Sequence, residues 1–342
     1  MTSVAMIGCG WAGVRHAQAF RQCGARVAWA VDVVESRAAE LRRQLNGEAR
    51  SATDYQEALR DPQVDAVDIC LPHDLHEPVA LAAAQAGKHI LCEKPLAATL
   101  EEADRMIAAC EKAGVVLMIA ENERFSPLAL KVRQLLDHGV IGKPALFLMT
   151  RQCYLTRSFL EDRRWFLNAK MAAGGMMMSG GVHDFSTALL LIGDVHSVYS
   201  LRAPQRFLEM EGDDTSVALL GFKNGVVGSF VQSFVMKSLV TAAGSEIHTL
   251  RIDGDLGSII VEDGHTIRLY SEQAEMQGGE TLVQHEIYVP EQDTFLLEVK
   301  HFLDCLRTGN EPVTSGRAMR RPLEIVLAAY RSMETGAPVF LS

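Results

Sequence analysis

Gly8-Cys9-Gly10-Trp11-Ala12-Gly13 follows the apolar run Ser3–Ile7 and opens a helical pattern that continues to Gln22. A glycine turn between a strand and a helix, at the start of a crossover unit, has the form of a dinucleotide-binding loop. Gly8 allows the tight turn. Gly10 lets the backbone approach a pyrophosphate. Gly13 lets the helix pack on the strand. Trp11 and Ala12 lie in this loop, before the helix read at Gly13–Gln22, whose N-terminus faces the phosphates. Asp32 stands 19 residues beyond Gly13, at the end of a second strand, Arg26–Val31. A carboxylate there accepts hydrogen bonds from the ribose hydroxyls and repels a 2′-phosphate, so NAD is expected over NADP. Arg37, five residues on, softens that preference.

The alternation continues outward from this loop. Ser36–Leu45, Glu77–Ala86 and Leu100–Ala113 read as helices, and Val64–Cys70, His89–Cys92 and Val115–Ala120 as strands. Thr99 with Glu102 forms a capping box. Residues 1–122 therefore read as an α/β Rossmann domain, a doubly wound parallel sheet. Beyond residue 122 the pattern changes. A helix, Pro127–His138, precedes alternating strands at Ala145–Arg151, Val195–Arg202, Thr215–Phe222, Gly225–Ser233, His248–Gly254, Gly257–Val261, His265–Tyr270 and Leu282–Val289. Helices read at Gly181–Ile192, Asp293–Arg307 and Gly316–Glu334. Residues 123–342 thus read as a C-terminal α+β domain with a large, mostly antiparallel open sheet. An uncovered apolar sheet face predicts a homodimer or homotetramer through that sheet.

Composition narrows the function. Of 342 residues 48% are hydrophobic and 22% charged, which fits a folded globular protein rather than a disordered chain. The net charge of −10 argues against a nucleic-acid partner. No apolar run approaches the roughly 20 residues of a membrane span, and the N-terminus reads as a strand rather than a signal peptide. Seven scattered cysteines with no C-x-x-C pair read as buried thiols in a reducing, cytoplasmic setting. The histidines lack metal-ligand spacing, so no metal is expected.

Polar residues gather where strands end. Leu71-Pro72-His73-Asp74-Leu75-His76 follows one strand, Glu93-Lys94-Pro95 the next, and Glu121-Asn122-Glu123-Arg124 a third. In a doubly wound sheet, ligands bind outside the carboxyl ends of strands. Lys94 is placed to hold a substrate oxygen or a developing alkoxide. Leu71, His73, His76, Glu93 and Asn122 join the cofactor-binding set.

The glycine loop, LPHDLHEPVALAAAQAGKHILCEKPLA at 71–97, ENERFSP at 121–127 and AGGMMMSGGVH at 173–183 resemble the Gfo/Idh/MocA family, the glucose–fructose oxidoreductase and inositol dehydrogenase type. The resemblance runs over nearly the whole chain. It implies hydride transfer between NAD(P) and a secondary hydroxyl or ketone of a sugar, cyclitol or related polyol. It also implies that His183, in a segment similar to G-G-x-x-x-D-x-G-x-H-x-x-D, carries the acid–base role beside Lys94. Both family aspartates are replaced, by Ser179 and Ser186. Ser179 can orient an imidazole but cannot offset its charge. Asp184 lies beside His183, where neighbours do not share a helix face. Arg124, Tyr154, Arg157, Trp165, Ser179 and Asp184 are the candidate substrate contacts. Met176-Met177-Met178 reads as core packing. The alternatives are a retained-NAD closed redox cycle (epimerisation, elimination or sugar–sugar oxidoreduction) and a non-catalytic dinucleotide- or sugar-binding regulator.

Overall fold

Strand β1 (Ser3–Ile7) is wholly buried, with Val4, Ala5 and Met6 at 0% exposure, as a strand flanked by parallel neighbours requires. A computed structural model describes all residues except 156–159, 162, 208, 239–245 and 273–282. The chain divides into two units.

The first unit comprises Met1–Asn122 and Asp293–Leu323. Its elements run β1, α1 (Trp11–Gln22), β2 (Arg26–Val31), α2 (Glu35–Gln44), β3 (Arg50–Ala52), α3 (Tyr55–Leu59), β4 (Ala66–Ile69), α4 (His76–Gln85), β5 (His89–Glu93), α5 (Leu100–Ala113) and β6 (Leu117–Ala120). The six parallel strands lie in the order β3-β2-β1-β4-β5-β6. β1 pairs with β2 on one side (Val4 opposite Val27) and β4 on the other (Val4 opposite Ala66). The order reverses there, and the glycine loop stands at that switch point. Thr99 caps α5 by accepting the Glu102 N–H at 3.2 Å; Glu102 reaches back to the Ala98 N–H, one residue before the cap.

β3 and α3 are too short to leave a periodic signal. The strand read at Val64–Cys70 is confined to Ala66–Ile69. Segment 293–323 lies with residues 1–122 in the first unit. Its helix, Thr294–Thr308, stacks Phe302 edge-on against Phe20 at 6.3 Å and Phe295 against Trp11 at 5.7 Å. The spacing Phe295, Val299, Phe302 marks a face to be buried but not the surface that buries it.

The second unit comprises Glu123–Gln292 and Glu324–Ser342. It contains α6 (Pro127–Asp137), β7 (Pro144–Gln152), α7 (Met176–Ser179), α8 (Gly181–Leu191), β8 (Val195–Arg202), β9 (Thr215–Phe222), β10 (Val227–Ser233), β11 (Ile247–Gly254), β12 (Gly257–Val261), β13 (Thr266–Ser271), β14 (Val283–Tyr288) and β15 (Val339–Phe340). The sheet order is β14-β13-β12-β11-β7-β10-β9-β8-β15. Every pair is antiparallel except β7 with β10. One face packs Phe147, Phe185 and Phe230 together, with ring centroids 5.2 and 5.4 Å apart along that chain of contacts. The other exposes Leu201, Leu219 and Val227. Met176, Met177 and Met178 are each at 0% exposure and belong to the core. Among the described residues no helix is long and apolar enough to cross a membrane.

The loop glycines differ in what surrounds them. A Cβ on Gly13 would lie 2.0 Å from the Gly8 carbonyl oxygen, whereas one on Gly10 would meet nothing within 4 Å. Gly13→Ala should therefore cost about 1–3 kcal/mol or more through overpacking. Gly10→Ala should cost less than about 1 kcal/mol, the difference between the two residues at a helix N-cap. Urea unfolding of both variants checks this.

Candidate active site

In the first unit, the residues of the glycine loop are fixed by backbone. Gly8 has φ +100°, and a Cβ there would stand 2.1 Å from the Cys70 carbonyl oxygen, so β4 touches the loop directly. Asp32 follows β2 and is 9% exposed. Its Oδ2 accepts the Cys9 N–H at 2.9 Å and its Oδ1 the Val34 N–H at 2.8 Å. A carboxylate has about four acceptor positions, so two remain for hydroxyl donors. Burial, and next the Asp32 charge, push the Cys9 thiol up to about 12, which leaves it inert. Trp11 is exposed at the start of α1, with the Arg15 guanidinium over its ring at 4.5 Å. Ala12 is half-buried beside it, and Arg37 is half-buried on α2. Open space at Gly10, a helix N-terminus behind it and an anchored Asp32 fit a dinucleotide.

The strand ends of this unit are tied together. His76 is fully buried, with Nε2 3.0 Å from the Leu71 carbonyl and Nδ1 2.8 Å from that of Pro95. Burial pushes its pKa down. A main-chain carbonyl faces each ring nitrogen, and whichever nitrogen carries the proton donates, so His76 lies between the segments after β4 and β5. His73 is buried, its ring 5.6 Å from that of His76. Glu93 accepts the Lys94 N–H at 3.0 Å and precedes the cis Lys94-Pro95 bond. Lys94 is half-buried there. Asn122 donates to Thr294 Oγ1 at 2.7 Å.

In the second unit, the Gly174-Gly175 turn before α7 is held by two side chains that sequence reading missed. Tyr330 Oη donates to Asp213 at 2.7 Å and accepts the N–H groups of Gly175 at 2.8 Å and Met178 at 3.1 Å. A Cβ on Gly175 would lie 2.1 Å from the Asp213 carbonyl oxygen, so only glycine fits. Ser179 ends α7 and His183 lies in the first turn of α8; both are half-buried.

Asp184 faces away from the role considered for it. It is buried and accepts from Arg151 Nε at 2.9 Å and Gln232 Nε2 at 2.5 Å. Arg151, 4% exposed, also donates from its NH2 to both Glu123 oxygens (2.7 and 2.8 Å) and from its NH1 to Glu246 at 3.0 Å. Burial raises the Glu123 carboxyl, but Arg151 and then the His183 and His248 imidazoles outweigh it and hold it down at about 2. Glu123 and the His183 imidazole thus interact electrostatically. Ligating atoms of Glu123, Asp184 and His248 lie within 4.8 Å of one another, but Arg151 already takes the two carboxylates.

The remaining candidates are scattered. Arg124 donates to the carbonyl of Ser186 at 3.0 Å. Ser186 itself is buried. Tyr154 pairs with Val235 and has Lys237 over its ring at 4.7 Å. Trp165 packs against the core cluster of Leu155, Leu160, Phe166, Met176, Met210 and Phe234. Arg157 lies outside the described residues.

Residues 2–121 match an oxidoreductase family described by its NAD-binding Rossmann fold, and residues 133–341 match the C-terminal alpha/beta domain of the same family. The chain belongs to the Gfo/Idh/MocA oxidoreductase family. It is 29% identical over 338 residues to myo-inositol 2-dehydrogenase of Thermotoga maritima, covering 97% of this chain and 96% of that one. It is 27% identical to D-xylose 1-dehydrogenase [NADP(+)] of Haloarcula marismortui over 98% of this chain and 92% of that one. An oxidoreductase from Agrobacterium radiobacter, solved with NAD+, L-tartaric acid and magnesium, shares the fold with TM-score 0.88 at 24% identity, covering 99% and 98% of the two chains.

Within this family framework, the Arg151 cluster had one legible signal. Arg151 occupies the same inward phase of β7 as Phe147 and Met149, and an arginine there demands buried acids. Removing the arginine alone strands those acids. Arg151→Leu should cost about 3–5 kcal/mol, and adding Asp184→Leu should recover part of the loss. Urea denaturation of the double-mutant cycle measures both.

Proposed function

We propose that this oxidoreductase passes a hydride between NAD and a secondary hydroxyl, or the matching ketone, of a sugar or cyclitol. The observation that carries the cofactor half is the glycine loop, where backbone excludes a side chain at Gly8 and Gly13 and open space lies beyond Gly10. The substrate half draws support from the myo-inositol and D-xylose dehydrogenases named above. Asp32 supports NAD over NADP, because its carboxylate would repel a 2′-phosphate. The nicotinamide, when bound, supplies the hydride chemistry. The chain supplies position and charge. Lys94 holds the reacting oxygen and steadies charge on it. His183 passes the hydroxyl proton, with Glu123 offsetting the charge that Ser179 cannot. Asp184 serves by holding Arg151 in place. The open sheet face, with Leu201, Leu219 and Val227 exposed, suits a second copy of the chain in a homodimer or homotetramer.

The test is the absorbance of reduced nicotinamide when the protein meets NAD or NADP and a panel of cyclitols, aldoses, anhydrosugars and sugar acids. One class should reduce NAD in preference to NADP. Lys94→Ala should lower kcat/KM by about 10²–10³-fold, the usual cost of losing one charge-stabilising group. No reduction by any class would reject the dehydrogenase reading.

A further inference from the structure

The interior of the first unit holds ionisable groups that hydride transfer does not require. His16 lies on α1, just past the glycine loop, with its side chain at 0% exposure. Its Nδ1 meets Asp68 Oδ2 on β4 at 2.9 Å, and the Cys70 thiol stands 3.7 Å from the same nitrogen. Its Nε2 faces two more carboxyls: Glu298 Oε1 at 3.3 Å and Glu93 Oε1 at 3.5 Å. Glu298 comes from the helix Thr294–Thr308 and is also at 0% exposure. Neither of its oxygens has a hydrogen-bond partner among the described residues. Two strands of the sheet and the late helix therefore converge on one imidazole.

The chemistry is a competition. Burial opposes charge on His16, but Asp68 and Cys70 outweigh it, so its pKa sits well above the ordinary value. The imidazolium has one N–H at Nε2 and two acids facing it. Burial pushes Glu298 up to about 8; His16 pulls it back, while Glu93 and Asp68 push it further up. At neutral pH Glu298 keeps its proton, and Glu93 Oε1, 3.5 Å away, is the other carboxyl oxygen at ion-pair distance from Nε2. The other oxygen of Glu93 accepts the Lys94 N–H at 3.0 Å, so the placement of Glu93 sets the turn that carries Lys94.

We propose that His16 is a positioning residue for the Glu93-Lys94-Pro95 turn, and that Glu298 is the competing carboxyl that draws His16 away from Glu93 when it ionises. This rests on the dinucleotide reading above, in which that turn borders the cofactor. His16, Asp68, Cys70, Glu93 and Glu298 are the titratable groups involved, from α1, β4, β5 and the late helix. The late helix thereby acts on the nucleotide end of the molecule through a single acid.

NADH binding, followed by its fluorescence between pH 6.5 and 9.5, tests this without substrate turnover. Wild-type affinity should hold at neutral pH and fall through pH about 8. By pH 9 it should be weaker by about tenfold, since about one molecule in ten would keep the competent arrangement. Glu298→Gln keeps the shape and cannot ionise, so it should bind at pH 9 as wild type binds at pH 7. Glu298→Asp, which can still ionise, should retain the bend. A wild-type profile without a bend, or a bend of unchanged size in Glu298→Gln, overturns the proposal. The wild-type profile alone decides if the glutamine variant does not fold. Absence of NADH binding at every pH would instead reject the dinucleotide reading beneath it.

Discussion

The contact on which the nucleotide half depends is between backbone and backbone. The Cα of Gly13 sits so near the Gly8 carbonyl that a Cβ would lie 2.0 Å from its oxygen. Gly8 in turn stands against the Cys70 carbonyl after β4. Those two approaches bring β1, α1 and β4 together at the point where the strand order reverses. There a helix N-terminus and two strand ends share one opening. Beneath the loop, the side chains of His16 on α1 and Asp68 on β4 are both at 0% exposure and pair at 2.9 Å.

A different constraint organises the second unit. A buried guanidinium is costly unless acids surround it, and Arg151 has Asp184, Glu123 and Glu246 on its donors. Replacing such a set with apolar residues is often neutral for stability. Its use therefore lies in placing charge rather than in strengthening the fold. Here it anchors Glu123 and fixes Asp184 on the first turn of α8, the same turn that carries His183. Asp213 and Tyr330 do the corresponding work on the preceding glycine turn, through three hydrogen bonds to Tyr330 Oη.

What sequence could reveal followed the range of the signal. Leu100–Ala113 was legible to the residue because its cap, its apolar stripe and Gly114 all lie within one helix. The glycine loop was legible because its flanking strand and helix are local too. The destination of Asp293–Leu323 was not, because Phe295, Val299 and Phe302 declare a buried face without naming Trp11 and Phe20 as its partners. His16 reads as one more polar residue in a helix, and nothing local reports that Asp68 lies 52 positions away. Asp184 was weighed against its neighbour His183 and as a substrate contact, whereas its partners include Arg151, 33 residues earlier, and Gln232, 48 later.

The two departures from the family's acid–base segment take on a different meaning beside these contacts. A serine in place of an aspartate removes a charge from one helix, but charge acts through space and its source is free to move. Glu123 stands in the segment after β6, two residues beyond the strand-end polar group Glu121, and its carboxyl feels His183 directly. Arg151 holds it through both carboxylate oxygens. For the acid–base role proposed for His183, a counter-charge anchored by an arginine is the preorganisation that proton transfer demands.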